Sequence, residues 1–339
     1  MTETMLDRDH YSGRYRRIGL DRSPRSVVET FTRDGLGWGV ETAPAFTETP
    51  DGFRPVPGRL VTRRTDTLEP LGVVSPQYRT VGNVDLAEHL DRALSRISEN
   101  GGPRIGGAVA AGAWGNGRRI WCRLDFGNGD VSGDPIARHA IVTASHDGSG
   151  AVRVVPTTVR LFCTNQVPGL LRNGGGARFG HRGDMARHLD ATARFLADAA
   201  GHTAGMVDRM RMLAGSPVGT GWAADYFGRV VADTLPTRDR LALAAGDPGP
   251  FVSTEYRNRW ESLRDRVRSA VADMAARYDR IGDAADSAAV PISTRGTRYH
   301  ALQAATESLE WSARVRSDES RDTGRNGAAK ATALALAVN

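Results

Sequence analysis

The hydrophobic pattern of the chain changes its period near residue 183. Before this point, apolar residues form short runs between glycine- and proline-containing stretches, which is typical of strands and turns. After it, apolar residues recur every three or four positions, as on one face of a helix. The pattern therefore predicts an α+β fold, in which an antiparallel sheet of hairpins packs against long helices and the C-terminal part is helical.

Two hairpins are predicted at the centre of the sheet. Residues 104–113 and 119–126 are apolar runs on either side of a Gly-Asn-Gly turn, whose residues tolerate positive φ angles. Residues 139–145 and 151–155 form the second pair, joined by the turn His-Asp-Gly-Ser-Gly. Residues 26–74, rich in proline and glycine, are expected to form short strands and turns.

The predicted strand at 119–126 has two chemically different faces. Its apolar positions are Ile120, Cys122, Leu124 and Phe126. Because side chains alternate along a strand, Trp121, Arg123 and Asp125 fall on the other face. We expect that face to be open, and a basic, aromatic open face suits contacts with nucleic acid.

Helical spacing is found in four segments. Residues 84–97 have one apolar face and follow Asn83, which we expect to be the N-cap. Residues 185–213, 255–280 and 297–314 are the other predicted helices. The apolar seam of the helix at 255–280 fits packing on the core or on a neighbouring subunit.

The same pattern predicts the domain boundaries. Residues 1–24 have little apolar content and are expected to form a mobile N-terminal arm. One domain is expected over residues 25–315, with its sheet part at 25–182 and its helical part at 183–315. Residues 316–339 are rich in Arg, Asp, Gly and Ala and are expected to be a loose tail.

Composition narrows the class of protein. The chain has no apolar run long enough to span a membrane and no secretory h-region, so a cytoplasmic protein without membrane contact is expected. Its two cysteines, Cys122 and Cys163, are then expected to be reduced and buried. Lys330 is the one lysine among 45 basic residues. Codon usage in a GC-rich genome could explain the arginines, and the net charge of +6 also permits a polyanionic partner.

The turn after residue 145 offers the densest group of polar side chains. His146 and Ser149 could be parts of a structural hairpin turn, contacts to a ligand or nucleic acid, or a metal or catalytic site. A metal site needs three or four ligands at fixed spacing, and the neighbouring histidines form no such set. No nucleophile, metal, cofactor or nucleotide-triphosphate motif is recognised, so we expect neither an enzyme nor a small-molecule substrate.

A basic segment begins inside this stretch and extends beyond it. Residues 151–195 hold seven arginines but only two acidic residues, and this lack of acids is not explained by codon usage. Residues 172–182 form a glycine-rich loop flanked by arginines, which can wrap phosphates or can be a surface connection. The candidate nucleic-acid-binding residues are Arg153, Arg160, Arg172, Arg178, Arg182, Arg187, Trp121, Arg123, His146, Ser149 and Asn165.

Six segments in order resemble the phage/plasmid-like protein family built on domain of unknown function 932. They are LGWGV near Trp38, LGVVSPQYRTVGN at 71–83, the SHDGS turn, VRLFCTNQV, GHRGD and GTRYHALQAATE near 297. The resemblance covers about residues 25–315. The chain differs from the family pattern at two places, where Cys163-Thr164-Asn165 and Gln303-Ala304 replace asparagine-containing sequences.

The resemblance implies a protein of a phage, plasmid or integrated element. The layout of hairpins followed by a long helix is similar to that of single-strand annealing proteins, which pair complementary DNA without ATP. By that analogy we expect a homo-oligomeric protein that binds single-stranded DNA in recombination. The alternative is a non-enzymatic interaction factor, such as an antagonist of host defence, that acts through a protein surface.

Overall fold

The computed structural model confirms the α+β class. It describes residues 22–150, 152–160, 166–168, 177–179, 185–250, 252–285, 294–311 and 325–339. Strands dominate up to residue 179 and helices dominate from residue 185 onward. Within the described part of the chain, no helix is both long and apolar enough to cross a membrane.

A small three-stranded sheet follows the first helix. Helix α1 (Val27–Arg33) begins after Ser26, whose hydroxyl accepts a hydrogen bond from the Glu29 amide. The strands are β1 (Val40–Thr49), β2 (Gly52–Arg64) and β3 (Pro70–Val74), which pair antiparallel in the order β1-β2-β3. The prediction of short strands was wrong for β1 and β2, which have 10 and 13 residues. Their prolines are tolerated because Pro44 lies on the edge strand β1, and Pro55 and Pro57 lie in the part of β2 before Leu60, which does not pair with β3.

The main sheet contains both predicted hairpins. Its strands are β4 (Gly107–Trp114), β5 (Arg119–Val131), β6 (Asp134–Ser145), β7 (Val152–Arg160), β8 (Gln166–Pro168) and β9 (Ala177–Phe179). They are ordered β4-β5-β6-β7-β8, and β9 pairs with β7. The turn between β4 and β5 has positive φ angles at Gly115, Asn116 and Gly117, as the Gly-Asn-Gly sequence predicts.

One face of the main sheet forms the first hydrophobic core. The predicted apolar positions of β5 are buried there with Ala140 and Val142 of β6. Helix α2 (Asn83–Glu99) supplies Leu86 and Leu90 to the same core. The N-cap prediction was wrong, because Asn83 is the first helical residue and its side-chain amide donates to the Leu36 carbonyl instead.

The C-terminal part contains the predicted helices and further ones. Helices α3 (Met185–Ala214), α6 (Thr254–Ala285) and α7 (Arg298–Trp311) correspond to the three predicted there. Helices α4 (Thr220–Thr234), α5 (Thr237–Ala244) and α8 (Arg325–Val338) were not predicted. The apolar seam of α6 packs on the core of the same chain, where Met274 is fully buried.

Helix α8 corrects the prediction of a loose C-terminal tail for residues 325–338, while residues 316–324 lie outside the described part of the chain. Its Ala333, Leu334 and Ala337 are buried in the second hydrophobic core, and the Tyr226 hydroxyl donates to the Ala333 carbonyl. Lys330 is fully buried and forms an ion pair with the buried Glu310 of α7. The tail therefore folds because alanine and leucine favour a helix and provide an apolar face.

The contacts divide the chain into two compact units. The first contains residues 1–128, 137–157 and 169–204, and the second contains residues 129–136, 158–168 and 205–339. Both units are discontinuous in sequence, so neither corresponds to a single segment of the chain. The main-sheet side chains considered next, up to Thr157, belong to the first unit.

Candidate nucleic-acid interface

The turn between β6 and β7 is organised by the Asp147 carboxylate. Its Oδ1 accepts hydrogen bonds from the Ser145 hydroxyl at 2.7 Å, the Ser149 amide at 2.9 Å and the Ser149 hydroxyl at 2.5 Å. Burial raises the pKa of Asp147, but these hydrogen bonds and the charge of Arg119 outweigh it and hold the pKa below its ordinary value. Gly148, with a φ of 74°, completes the turn.

His146 is a structural residue of this turn. Its side chain is fully buried, and Nε2 lies 2.9 Å from Oδ1 of Asn83. The imidazole packs edge-on against Trp38, with ring centroids 5.6 Å apart. The Thr62 hydroxyl donates to the His146 carbonyl at 2.7 Å. A direct contact between the His146 ring and nucleic acid is therefore not compatible with this conformation.

The turn also packs closely against the small sheet. A Cβ on Gly72 of β3 would lie 2.6 Å from the Asp147 Cα, so only glycine fits at that position. The Tyr78 hydroxyl donates to the Ser145 carbonyl at 2.8 Å, and burial raises the Tyr78 pKa. These contacts explain why the polar residues of the turn are mostly occupied by the fold.

The second face of the main sheet, which we call the polar face, lies opposite the first hydrophobic core. On β5 it carries the odd-numbered side chains, because the even-numbered ones are in the core. By the same alternation it carries His139 and Thr143 on β6, and Arg153 and Thr157 on β7. This face combines arginine, tryptophan, histidine, threonine and aspartate side chains with the apolar Ile141 and Val155.

Much of the polar face is covered, which corrects the prediction of an open surface. Arg123 is fully buried and His139 is 2% exposed. The prediction of an open face came from alternation along β5 alone, which suggested a sheet with one solvated face. It failed because the neighbouring strand β6 is buried on both faces from His139 to Ser145. Arg123 therefore has no open route to a nucleic-acid backbone in this conformation.

The buried histidine on this face is neutral. Burial, together with the positive charge of Arg123, lowers the pKa of His139 to about 3. Its Nδ1 lies 4.0 Å from Oδ1 of Asp125, but an uncharged imidazole makes no ion pair with that carboxylate. Burial also raises the pKa of Asp125 above its ordinary value.

The end of the polar face nearest the β4–β5 turn remains accessible. Trp121 is partly exposed and lies directly opposite Gly112 of β4, and Trp114 lies opposite Arg119. The two indoles stack with centroids 6.0 Å apart and planes 27° apart. The Arg119 guanidinium donates to the exposed Ser149 hydroxyl at 2.8 Å.

Two predicted arginines are paired by the strand register. Arg153 of β7 lies directly opposite Arg178 of β9 in the antiparallel pair. The Arg153 side chain is partly buried, and the backbone alone of Arg178 is described. The antiparallel register therefore places both positions on the same face of the sheet.

The remaining predicted residues are placed less fully. Arg160 ends β7 and Arg187 lies in the first turn of α3, and only their backbones are described. Arg172, Arg182 and Asn165 lie outside the described residues. Cys122 is buried, as predicted, and its burial raises the thiol pKa, while Cys163 also lies outside the described part.

Sequence reasoning missed Trp114 and Arg119. The hairpin prediction already contained the signal, because extending the strand pairing across the Gly-Asn-Gly turn sets Trp114 opposite Arg119. In the described part of the chain, no group of three or more His, Cys, Asp or Glu side chains is arranged to hold a metal ion.

Comparison with known proteins assigns the family but no activity. Searches among curated proteins and among solved structures gave no significant match. The family model described as "Domain of unknown function (DUF932)" matches residues 70–330, which is most of the chain. The match includes the main sheet, the turn at His146, helices α3 to α7 and the first turns of α8. The chain therefore belongs to the DUF932 family.

Proposed function

We propose that the protein binds single-stranded DNA on the polar face of its main sheet and promotes annealing without ATP. Single-strand binders combine a basic surface, which follows the phosphates, with aromatic side chains that accept bases. Both features occur on the polar face, since Arg119 and Trp121 lie at its accessible end on β5 and the partly buried Arg153 lies on the same face of β7. Action in recombination of a phage, plasmid or integrated element, as a cytoplasmic homo-oligomer, is part of the same proposal.

The observation that carries this proposal is the opposition of Arg153 and Arg178. Directly opposed residues of an antiparallel pair lie on the same face of the sheet, so this register places two arginine positions side by side. A phosphodiester backbone provides anions at regular intervals. An arginine can bind a phosphate through two parallel N–H donors, which makes phosphate a well-suited ligand.

The test is the affinity of the purified protein for a fluorescein-labelled single-stranded oligonucleotide. We expect R153A/R178A to bind at least tenfold more weakly than wild type, because two phosphate contacts are lost. R92Q/R209Q is the matched control, since it removes two exposed positive charges on helices α2 and α3. An equal loss of affinity in both double variants, or no binding of the oligonucleotide by wild type, would contradict the proposal.

A protein-interaction role is the second candidate, and the β1–β2 hairpin favours it. Phe46 is 57% exposed and Phe53 is 75% exposed, which is unusual for large apolar side chains outside an interface. Under this alternative, tagged wild-type protein would retain a stoichiometric host protein after nuclease treatment. The F46S/F53S variant would no longer retain that host protein, and neither wild type nor F46S/F53S would bind DNA.

A further inference from the structure

We propose that Trp114 and Trp121 form a stacking site for the bases of a single-stranded nucleic acid. This inference rests on the proposed function, because the same strand would be held by the arginines of the polar face. It adds a separate contact, to the bases rather than to the phosphates. Base stacking on aromatic side chains accepts every base, so the site would recognise single-strandedness rather than sequence.

The tryptophan pair lies on β4 and β5 and is partly exposed. A Cβ on Gly112 would lie 2.8 Å from the indole of Trp121, so this ring lies against the backbone of β4. Trp114 extends the surface at a nearly parallel angle, within the distance range of offset-stacked aromatic rings.

Charged and polar groups border the tryptophan pair. Arg119 is directly opposite Trp114, and its guanidinium donates to the Ser149 hydroxyl, which in turn donates to the Asp147 carboxylate. Arg153 lies on the same face of the same sheet. A ligand that reaches these groups needs flat apolar rings and anions in alternation, which is the chemistry of a polynucleotide with unpaired bases.

Unpaired bases are necessary for this contact. In a duplex each base is stacked between its neighbours and paired on its edge, so an indole cannot cover its face without unstacking the helix. The inferred site therefore predicts weaker binding of double-stranded DNA than of single-stranded DNA with the same number of phosphates. The phosphate contacts alone predict no such difference in favour of single strands.

The experiment compares an oligothymidylate with an abasic oligomer that carries the same number of phosphates, by fluorescence anisotropy with full-length protein. Wild type is expected to prefer the oligothymidylate by about 5- to 100-fold. The W114A/W121A variant is expected to bind both oligomers equally and to keep its salt dependence. The F53A variant, which removes an exposed aromatic ring elsewhere, is expected to keep the preference.

The two proposals fail differently in this experiment. If wild type binds both oligomers equally, or if W114A/W121A keeps the preference, the stacking site is wrong and phosphate binding stands. If wild type binds neither oligomer, the proposed function fails. Trp121 packs on Gly112, so a folding defect of the double variant has to be separated from loss of the site. Wild-type protein is therefore also photocrosslinked to 5-iodouracil DNA. Crosslinks at Trp114 or Trp121 support the site, and crosslinks only at other residues overturn it.

Discussion

Asp147 and its neighbours show how single residues hold the β6–β7 turn in place. The carboxylate accepts hydrogen bonds from two serines, and Gly72 of β3 lies against its backbone. The sequence identified this turn through Asp147-Gly148 but could not identify Gly72, because that contact joins residues far apart in the chain. The same applies to Asn83, whose side chain binds His146 rather than capping its own helix.

The packing of Gly72 predicts a strong effect of one methyl group. G72A is expected to lower the free energy of unfolding by about 1–3 kcal/mol, because a Cβ would overlap the Asp147 backbone, which cannot move aside as a flexible side chain would. Urea unfolding followed by circular dichroism measures this. G37A is the control, since nothing lies within 4 Å of a Cβ there. Equal stability of the two variants would contradict the packing described for the turn.

His139 predicts a pH dependence with a definite sign. The folded state holds its pKa near 3, well below the ordinary value of 6.5, so the unfolded chain takes up the proton first. The group's contribution is therefore fully present above pH 6.5 and is lost as pH falls toward 3, by at most about 1.4 kcal/mol per pH unit. H139Q is expected to reduce that slope in urea titrations, and an unchanged slope would mean that the imidazole is not buried as a neutral ring.

Among the helices and strands, hydrophobic periodicity predicted the ones whose apolar residues follow a regular helical or strand spacing. The long helices α3 and α6 and the hairpin strands β4 and β5 were found in this way. Helix α8 was missed because its segment, rich in Arg, Asp, Gly and Ala, was expected to be a loose tail, and its buried face is seen only with its packing partners. The burial of the polar face was also missed. Alternation along a strand shows that it has two faces, but it does not show which other parts of the chain bury each face.

The buried ion pair tests the packing of α8. K330M is expected to lower the free energy of unfolding by about 3–5 kcal/mol, because it leaves the Glu310 carboxylate buried without its cation. The double variant K330M/E310L is expected to recover most of that loss, since no charge remains buried. Urea unfolding of the two variants measures these free energies. A loss below about 1 kcal/mol for K330M would contradict the burial of Lys330 and favour a loosely attached α8.

Gly201 predicts a change in the opposite direction within α3. It is exposed, and nothing lies within 4 Å of a Cβ at that position. G201A is expected to raise the free energy of unfolding by up to about 1 kcal/mol, because alanine favours the helix and restricts the unfolded chain. A stabilised variant in thermal unfolding agrees with a continuous helix through residue 201, whereas a destabilised variant would indicate an interruption there.

At the scale of the whole molecule, the sequence and the structure contribute different parts of the account. The sequence supplied the α+β class, the family and a basic segment. The structure reduced the list of predicted contacts, because Arg123 and His146 are buried, and it added Trp114 and Arg119. Strand register could not be obtained from composition, and it is register that brings Arg153 opposite Arg178.

The most direct test of DNA binding by the polar face is the salt dependence of the association constant for single-stranded DNA. Each phosphate neutralised by the protein contributes about −0.7 to the slope of log K against log salt. R153A/R178A is therefore expected to reduce the magnitude of the wild-type slope by about 1.4, while R92Q/R209Q leaves it unchanged. Identical slopes for wild type and R153A/R178A would contradict the account, because the opposed arginines would then contact no phosphate.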